Sequence, residues 1–248
     1  MQPLPRDFHH TRTTLHRVAA HVLGRRRYEV TNRFGLRVTP GGFGTPAFGG
    51  DLEVLRVSGT ELVHEGGDAT QSLSMTGATL CALAAFAGTS LFEGFSVGAE
   101  TPEVGDAGER LRIDERACDV VARWFGLGLR ALDRVSAALP QAAAPGLAQV
   151  WPEHFDLGTH VGLANGERLN LGVSPGDGFC PEPYAYVGPR GEERRGDSAY
   201  WNAPFGAILR RSETSTADGP DDVGEATDAV VRFMRTGIAN AGEPAVRD

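Results

Sequence analysis

Apolar residues recur at helical spacing in several stretches of the chain. Leu15, Val18, Ala19 and Val22 predict a first helix over residues 11 to about 23, with Gly24 as its stop. The longest stripe, Ala117, Val120, Val121, Trp124, Leu132, Val135 and Leu139, predicts a helix over 114–139, capped by Asp114 and closed by Pro140. Ala226, Val230, Phe233 and Gly237 predict a last helix over about 224–239. Residues 76–87 are apolar all round, which predicts a short buried helix capped by Thr76.

Between these lie two groups of strands. Residues 34–39, 51–57, 61–65 and 70–75 form the first, separated by Gly and Pro clusters that suit hairpin turns. Residues 148–161, 167–173, 184–187 and 205–211 form the second, while 89–110 show no period and read as loop. Strands in blocks with single interrupting helices give an α+β class: mixed, mostly antiparallel sheet segments packed on the 114–139 helix, with helices at both ends. One domain over 1–248 is expected, ordered over about 9–240, with a flexible loop at 212–222 and a loose tail at 242–248.

Composition narrows the chemistry. All 24 basic residues are arginine. Without lysine there is no amine side chain for Schiff-base or pyridoxal phosphate chemistry, no P-loop and no protein-kinase site. A net charge of −8 argues against nucleic acid as a partner. The local exception, Arg25-Arg26-Arg27, follows the first helical stripe and is read as cations at the negative end of that helix. The longest apolar run, residues 80–87, is far short of the roughly 20 residues of a membrane span. The first 25 residues, with His9, His10, Arg12, His16 and Arg17, hold no secretory apolar region, so a cytoplasmic protein without a membrane partner is expected. Cys81, Cys118 and Cys180 form no metal-type pair, and Cys81 and Cys118 read as small core residues. No motif speaks to oligomeric state.

Two glycine motifs imitate catalytic ones. Gly42-Phe43-Gly44-Thr45-Pro46-Ala47 follows a strand but is followed by no helix to meet a pyrophosphate, so its glycines read as a wide turn. Gly94-Phe95-Ser96-Val97-Gly98 spells a nucleophile elbow without the helix that an elbow needs. Cys180, between Gly178 and Pro181, would act as a nucleophile only if a cation or histidine lowered its pKa.

The densest polar run is Trp151-Pro152-Glu153-His154-Phe155-Asp156-Leu157. On one strand, His154 and Asp156 share a face about 7 Å apart, and His160 lies roughly 20 Å off. Three readings stand open: a solvated face, an acid/base pair in which Asp156 orients His154, and half of a metal triad. Asp177, in the turn Ser174-Pro175-Gly176-Asp177-Gly178, and Glu182, fixed between Pro181 and Pro183, are the carboxylates expected to join them. Trp151, Glu153, Tyr184, Trp201 and Asn202 are the expected substrate contacts.

These motifs, together with Gly188-Pro189, Trp201-Asn202-Ala203-Pro204-Phe205-Gly206, Thr14-Leu15-His16 and residues 39–46, resemble a family of uncharacterised actinobacterial proteins over about residues 13–240. More loosely, the order of elements is similar to a broader bacterial family of unknown function with a Phe-Asp-Leu strand and a Tyr-Pro-Glu-Pro segment. The resemblance implies one domain and carries no activity. The arginine-only, Ala- and Gly-rich composition is associated with the same source.

The expectation is therefore a protein with a small-molecule site. In the first version it is an enzyme: His154 is the acid/base, with Asp156, Asp177 and Glu182 around it. A divalent metal on His154, Asp156 and Glu182 (or His16) is the second version, and no other cofactor is expected. A non-catalytic ligand- or partner-binding protein is the third.

Overall fold

The computed structural model describes residues 3–92, 94–191, 193–214, 222–242 and 244. The loop expected at 212–222 and the tail expected at 242–248 lie mostly outside them. The chain is α+β, with two antiparallel sheets, the long helix and the terminal helices, and it divides into two compact units. The N-terminal unit holds residues 4–123 and 149–156, and the C-terminal unit holds 124–148 and 157–248 with residues 1–3.

In the N-terminal unit, α1 (Phe8–Val18) does not stop at Gly24 as the pattern predicts. It passes through a fully buried π-helical segment, Ala19–Gly24, into α2 (Arg25–Thr31), which Asn32 ends in the left-handed conformation at φ 55°. The three arginines therefore lie within a continuous helical run instead of at its end. Arg25 pairs with Glu29, Arg26 with Glu53 at 2.9 Å, and Arg27 donates to the Gly35 carbonyl.

The strands β1 (Arg37–Thr39), β2 (Gly42–Gly44), β3 (Val54–Ser58), β4 (Glu61–Gly66) and β5 (Ala69–Ser74) form a meander in sequence order. The motif read as a wide turn is strand β2. A Cβ on Gly42 would lie 2.5 Å from the Val57 carbonyl oxygen, and one on Gly44 would lie 2.5 Å from the Arg56 Cβ. Its glycines thus permit close approach to β3, while Phe43 between them is fully buried.

Helix α3 (Leu80–Phe86) is capped by Thr79, whose hydroxyl accepts the Ala82 amide at 3.1 Å, and not by Thr76. One side of it, including Cys81, is exposed, so its apolar composition overstated its burial. Helix α4 (Glu115–Ser136) starts as predicted: Asp114 accepts the Ala117 amide at 2.8 Å.

Strand β6 (Gln149–Trp151) meets the segment before β1, with Leu36 and Val150 exchanging backbone hydrogen bonds. β7 (Asp156–Gly162), which lies in the C-terminal unit from Leu157 on, β8 (Arg168–Ser174), β9 (Tyr184–Pro189) and β10 (Ala207–Arg210) are antiparallel neighbours in that order. Helix α5 (Asp222–Ala241) packs on β8, β9 and β10. The single strand predicted over 148–161 is two strands, β6 and β7. Between them the chain turns at 152–155: the Phe155 amide donates to the Trp151 carbonyl at 2.7 Å, and Phe155 sits at φ 54°.

Candidate functional site

That turn changes the geometry around His154. His154 lies in the turn with its side chain 47% exposed, whereas Asp156 opens β7 and is 8% exposed, so the two do not share a strand face. The buried Phe155 ring, edge-on to Phe43 at 5.0 Å, anchors the turn. His16 from α1 stacks on Phe155 at 5.4 Å, and its Nε2 lies 3.0 Å from the carbonyl oxygens of both Pro152 and Glu153. Two carbonyl partners require Nε2 to carry the proton. Burial pushes the His16 pKa down to about 4 against the raising effect of the Glu153 and Pro152 carbonyls, so His16 is a neutral donor at pH 7.

The carboxylate that orients His154 comes from the segment read as plain loop. Glu100 Oε2 lies 3.0 Å from His154 Nδ1, across 54 residues of sequence. Thr101 shapes the loop there: its hydroxyl accepts the Val97 and Gly98 amides at 3.0 and 3.1 Å and donates to the Gly98 carbonyl at 2.8 Å. Beyond it, His21 Nε2 donates to the Pro102 carbonyl at 2.6 Å, and Arg17 donates to the carbonyls of Val104 and Asp106. The helix that holds the His154 turn through His16 thus holds the Glu100 loop through Arg17 and His21.

Glu153 completes the cluster, with Oε2 3.7 Å from His154 Nε2. Its carboxylate lies directly over Gly98, where a Cβ would fall 1.8 Å from Glu153 Cδ. The second glycine of the elbow-like motif therefore makes room for a carboxylate, and Ser96 spends its hydroxyl on the Gly98 carbonyl at 2.7 Å. Partial burial lowers the His154 pKa. The hydrogen bond to Glu100 and the charges of Asp156, Glu153 and Glu100 outweigh it, and the net shift is upward.

Trp151 sits in β6, edge-on to Phe34 at 6.2 Å. The other expected site residues belong to the C-terminal unit. Asp177 Oδ1 accepts the amides of Phe179 and Cys180 at 2.8 and 2.9 Å, and its Oδ2 accepts the Tyr184 hydroxyl. Tyr184 also lies 6.4 Å from the Tyr186 ring, on the shared strand face that alternation predicts. Glu182 turns to Ser212, accepting its amide and its hydroxyl at 3.1 Å each. Trp201 donates to the Arg195 carbonyl at 2.6 Å, and Asn202 binds both backbone groups of Ile208. Asp177 and Tyr184 thus meet, and Asn202 pairs with the backbone of β10. Cys180 is buried and its thiol is pushed up by burial, the reverse of an activated nucleophile. Among the described residues, no group of three His, Cys, Asp or Glu side chains is placed to hold a metal ion. No described helix is long and apolar enough to cross a membrane.

The chain matches no protein-family model, no curated protein and no solved structure.

Proposed function

We propose that this protein is an acid–base enzyme acting on a small polar substrate, with His154 Nε2 as the atom that moves the proton. The observation that carries this is the 3.0 Å contact between Glu100 and His154 Nδ1. A carboxylate on Nδ1 fixes the ring and its tautomer, so that Nε2 accepts a proton when the ring is neutral and donates one when it is charged. Glu153, on the Nε2 side, favours the charged ring and offers an acceptor to a substrate hydroxyl or amine. The chemistry that fits is proton transfer in hydrolysis or isomerisation. In this reading Glu100 takes the orienting role that the sequence pattern gave to Asp156. Membership of the actinobacterial family and a cytoplasmic setting belong to the same proposal; the free thiols of Cys81, Cys118 and Cys180 suit a reducing compartment.

The test is an NMR time course on pools of small polar esters, amides and hydroxy or keto acids. Turnover by the wild type that falls about 10²–10⁴-fold in His154→Gln is the expected result, the usual worth of a positioned acid/base group. No compound turned over, or equal turnover by His154→Gln, would overturn the proposal.

A further inference from the structure

We infer that strand β5 is a self-pairing edge through which two copies of this chain form a two-fold dimer. β5 is the last strand of the N-terminal sheet, paired along its whole length with β4 from Gly66↔Ala69 to Glu61↔Ser74. Five of its six residues, Ala69, Thr70, Gln71, Ser72 and Ser74, are exposed. In an antiparallel sheet, alternate backbone groups of an edge strand project away from the only neighbour. Among the described residues, no backbone group outside this sheet bonds to residues 69–74.

Among the described residues, other sheet edges carry outside partners. At β10, Asn202 Oδ1 accepts the Ile208 amide at 2.8 Å while Asn202 Nδ2 donates to the Ile208 carbonyl at 3.0 Å. The next outward amide, of Arg210, is taken by Glu213 at 2.8 Å. Beside β1, the Leu36 and Val150 backbones pair with each other. Protein edges are commonly blunted by lysine, inward charge, proline or a bulge. The sequence Ala69-Thr70-Gln71-Ser72-Leu73-Ser74 holds no charge and no proline, and its unbroken register with β4 holds no bulge.

Self-complementarity points to a second copy as the occupant, and the strand's lack of charge permits it. Two molecules of net charge −8 repel, so a shared edge must set no like charges opposite each other, and β5 brings none. Opposed residues of an antiparallel pair point to the same face, so a two-fold pairing centres on a residue. Centred on Ser72, it sets Ser72 against Ser72, Thr70 against Ser74 and Gln71 against Leu73. One face then carries a ladder of hydroxyls, and Asp68 falls outside the paired stretch. Each copy supplies the backbone donors and acceptors that the other lacks.

The test is sedentimentation by analytical ultracentrifugation from micromolar to millimolar concentration, with Ser72→Lys and, in a Cys81→Ser background, Ser72→Cys and Gln71→Cys. Ser72 is exposed, so these variants keep the fold, which circular dichroism checks. The expected result is a concentration-dependent dimer, lost in Ser72→Lys, where two cations oppose at the axis. Mild oxidation is expected to cross-link Ser72→Cys, whose Cα atoms fall about 5 Å apart across the pair and within disulfide reach, but not Gln71→Cys. A monomer at every concentration, a dimer indifferent to Ser72→Lys, or equal cross-linking of the two cysteine variants would overturn the inference.

Discussion

His154 is held from both sides by carboxylates of different origin, Glu153 beside it in sequence and Glu100 from a distant loop. The Glu100 hydrogen bond is the largest effect raising its pKa. Replacing Glu100 by Gln keeps the shape and removes the charge, so the upward shift shrinks and the titration midpoint of His154 falls. Two-dimensional NMR of the histidine ring protons across pH 5–9, run on wild type and variant side by side, measures this directly. An unmoved His154 midpoint in Glu100→Gln would show that the contact does not persist in solution. Because the measurement needs no substrate, it separates the geometry of the pair from the activity proposed for it.

At the level of elements, what the sequence made legible had a strong period or an unambiguous cap. Helix α4 shows both, and the hairpins from β3 to β5 follow from alternation punctuated by glycine turns. The expected cap is testable: Asp114→Ala should cost about 1 kcal/mol, the usual worth of a side-chain N-cap, read from the urea midpoint. An unchanged midpoint would mean that the Asp114–Ala117 bond adds nothing to α4. The site was less legible, and for local reasons. Trp151 to Leu157 alternates like a strand, but Pro152 supplies no amide to a ladder and Phe155 adopts a positive φ that an aromatic residue rarely takes. Burial of the Phe155 ring against Phe43 and His16 stabilises that turn, a tertiary effect that no local pattern reports. Glu100 lies in an aperiodic stretch whose shape depends on contacts with Arg17 and His21. The only hint was Gly98, spaced as in an elbow yet needed for the approach of Glu153. Residues that bridge distant segments have no signature of their own.

For the whole molecule, the histidines give stability a definite pH dependence. The folded-state pKa of His16, about 4, lies below the 6.5 of an ordinary histidine. On acidification the unfolded chain therefore takes up the proton first. The stability that His16 contributes is fully present above pH 6.5, falls as the pH drops from 6.5 to about 4, and is gone below that. His21 and His160, also lowered by burial, push the same way. His154, with its pKa raised, opposes them, because its charged form is favoured in the folded state. At about 1.4 kcal/mol per pH unit, His16 alone accounts for roughly 2–3 kcal/mol lost between pH 7.5 and 4.5. Urea titrations of the wild type and His16→Gln at both pH values check this. The variant is expected to be weaker at pH 7.5, where the donor to Pro152 and Glu153 is disturbed, yet to lose roughly 2–3 kcal/mol less on acidification. If both proteins lost the same stability between the two pH values, the acid sensitivity would have to come from groups other than the histidine that anchors the His154 turn.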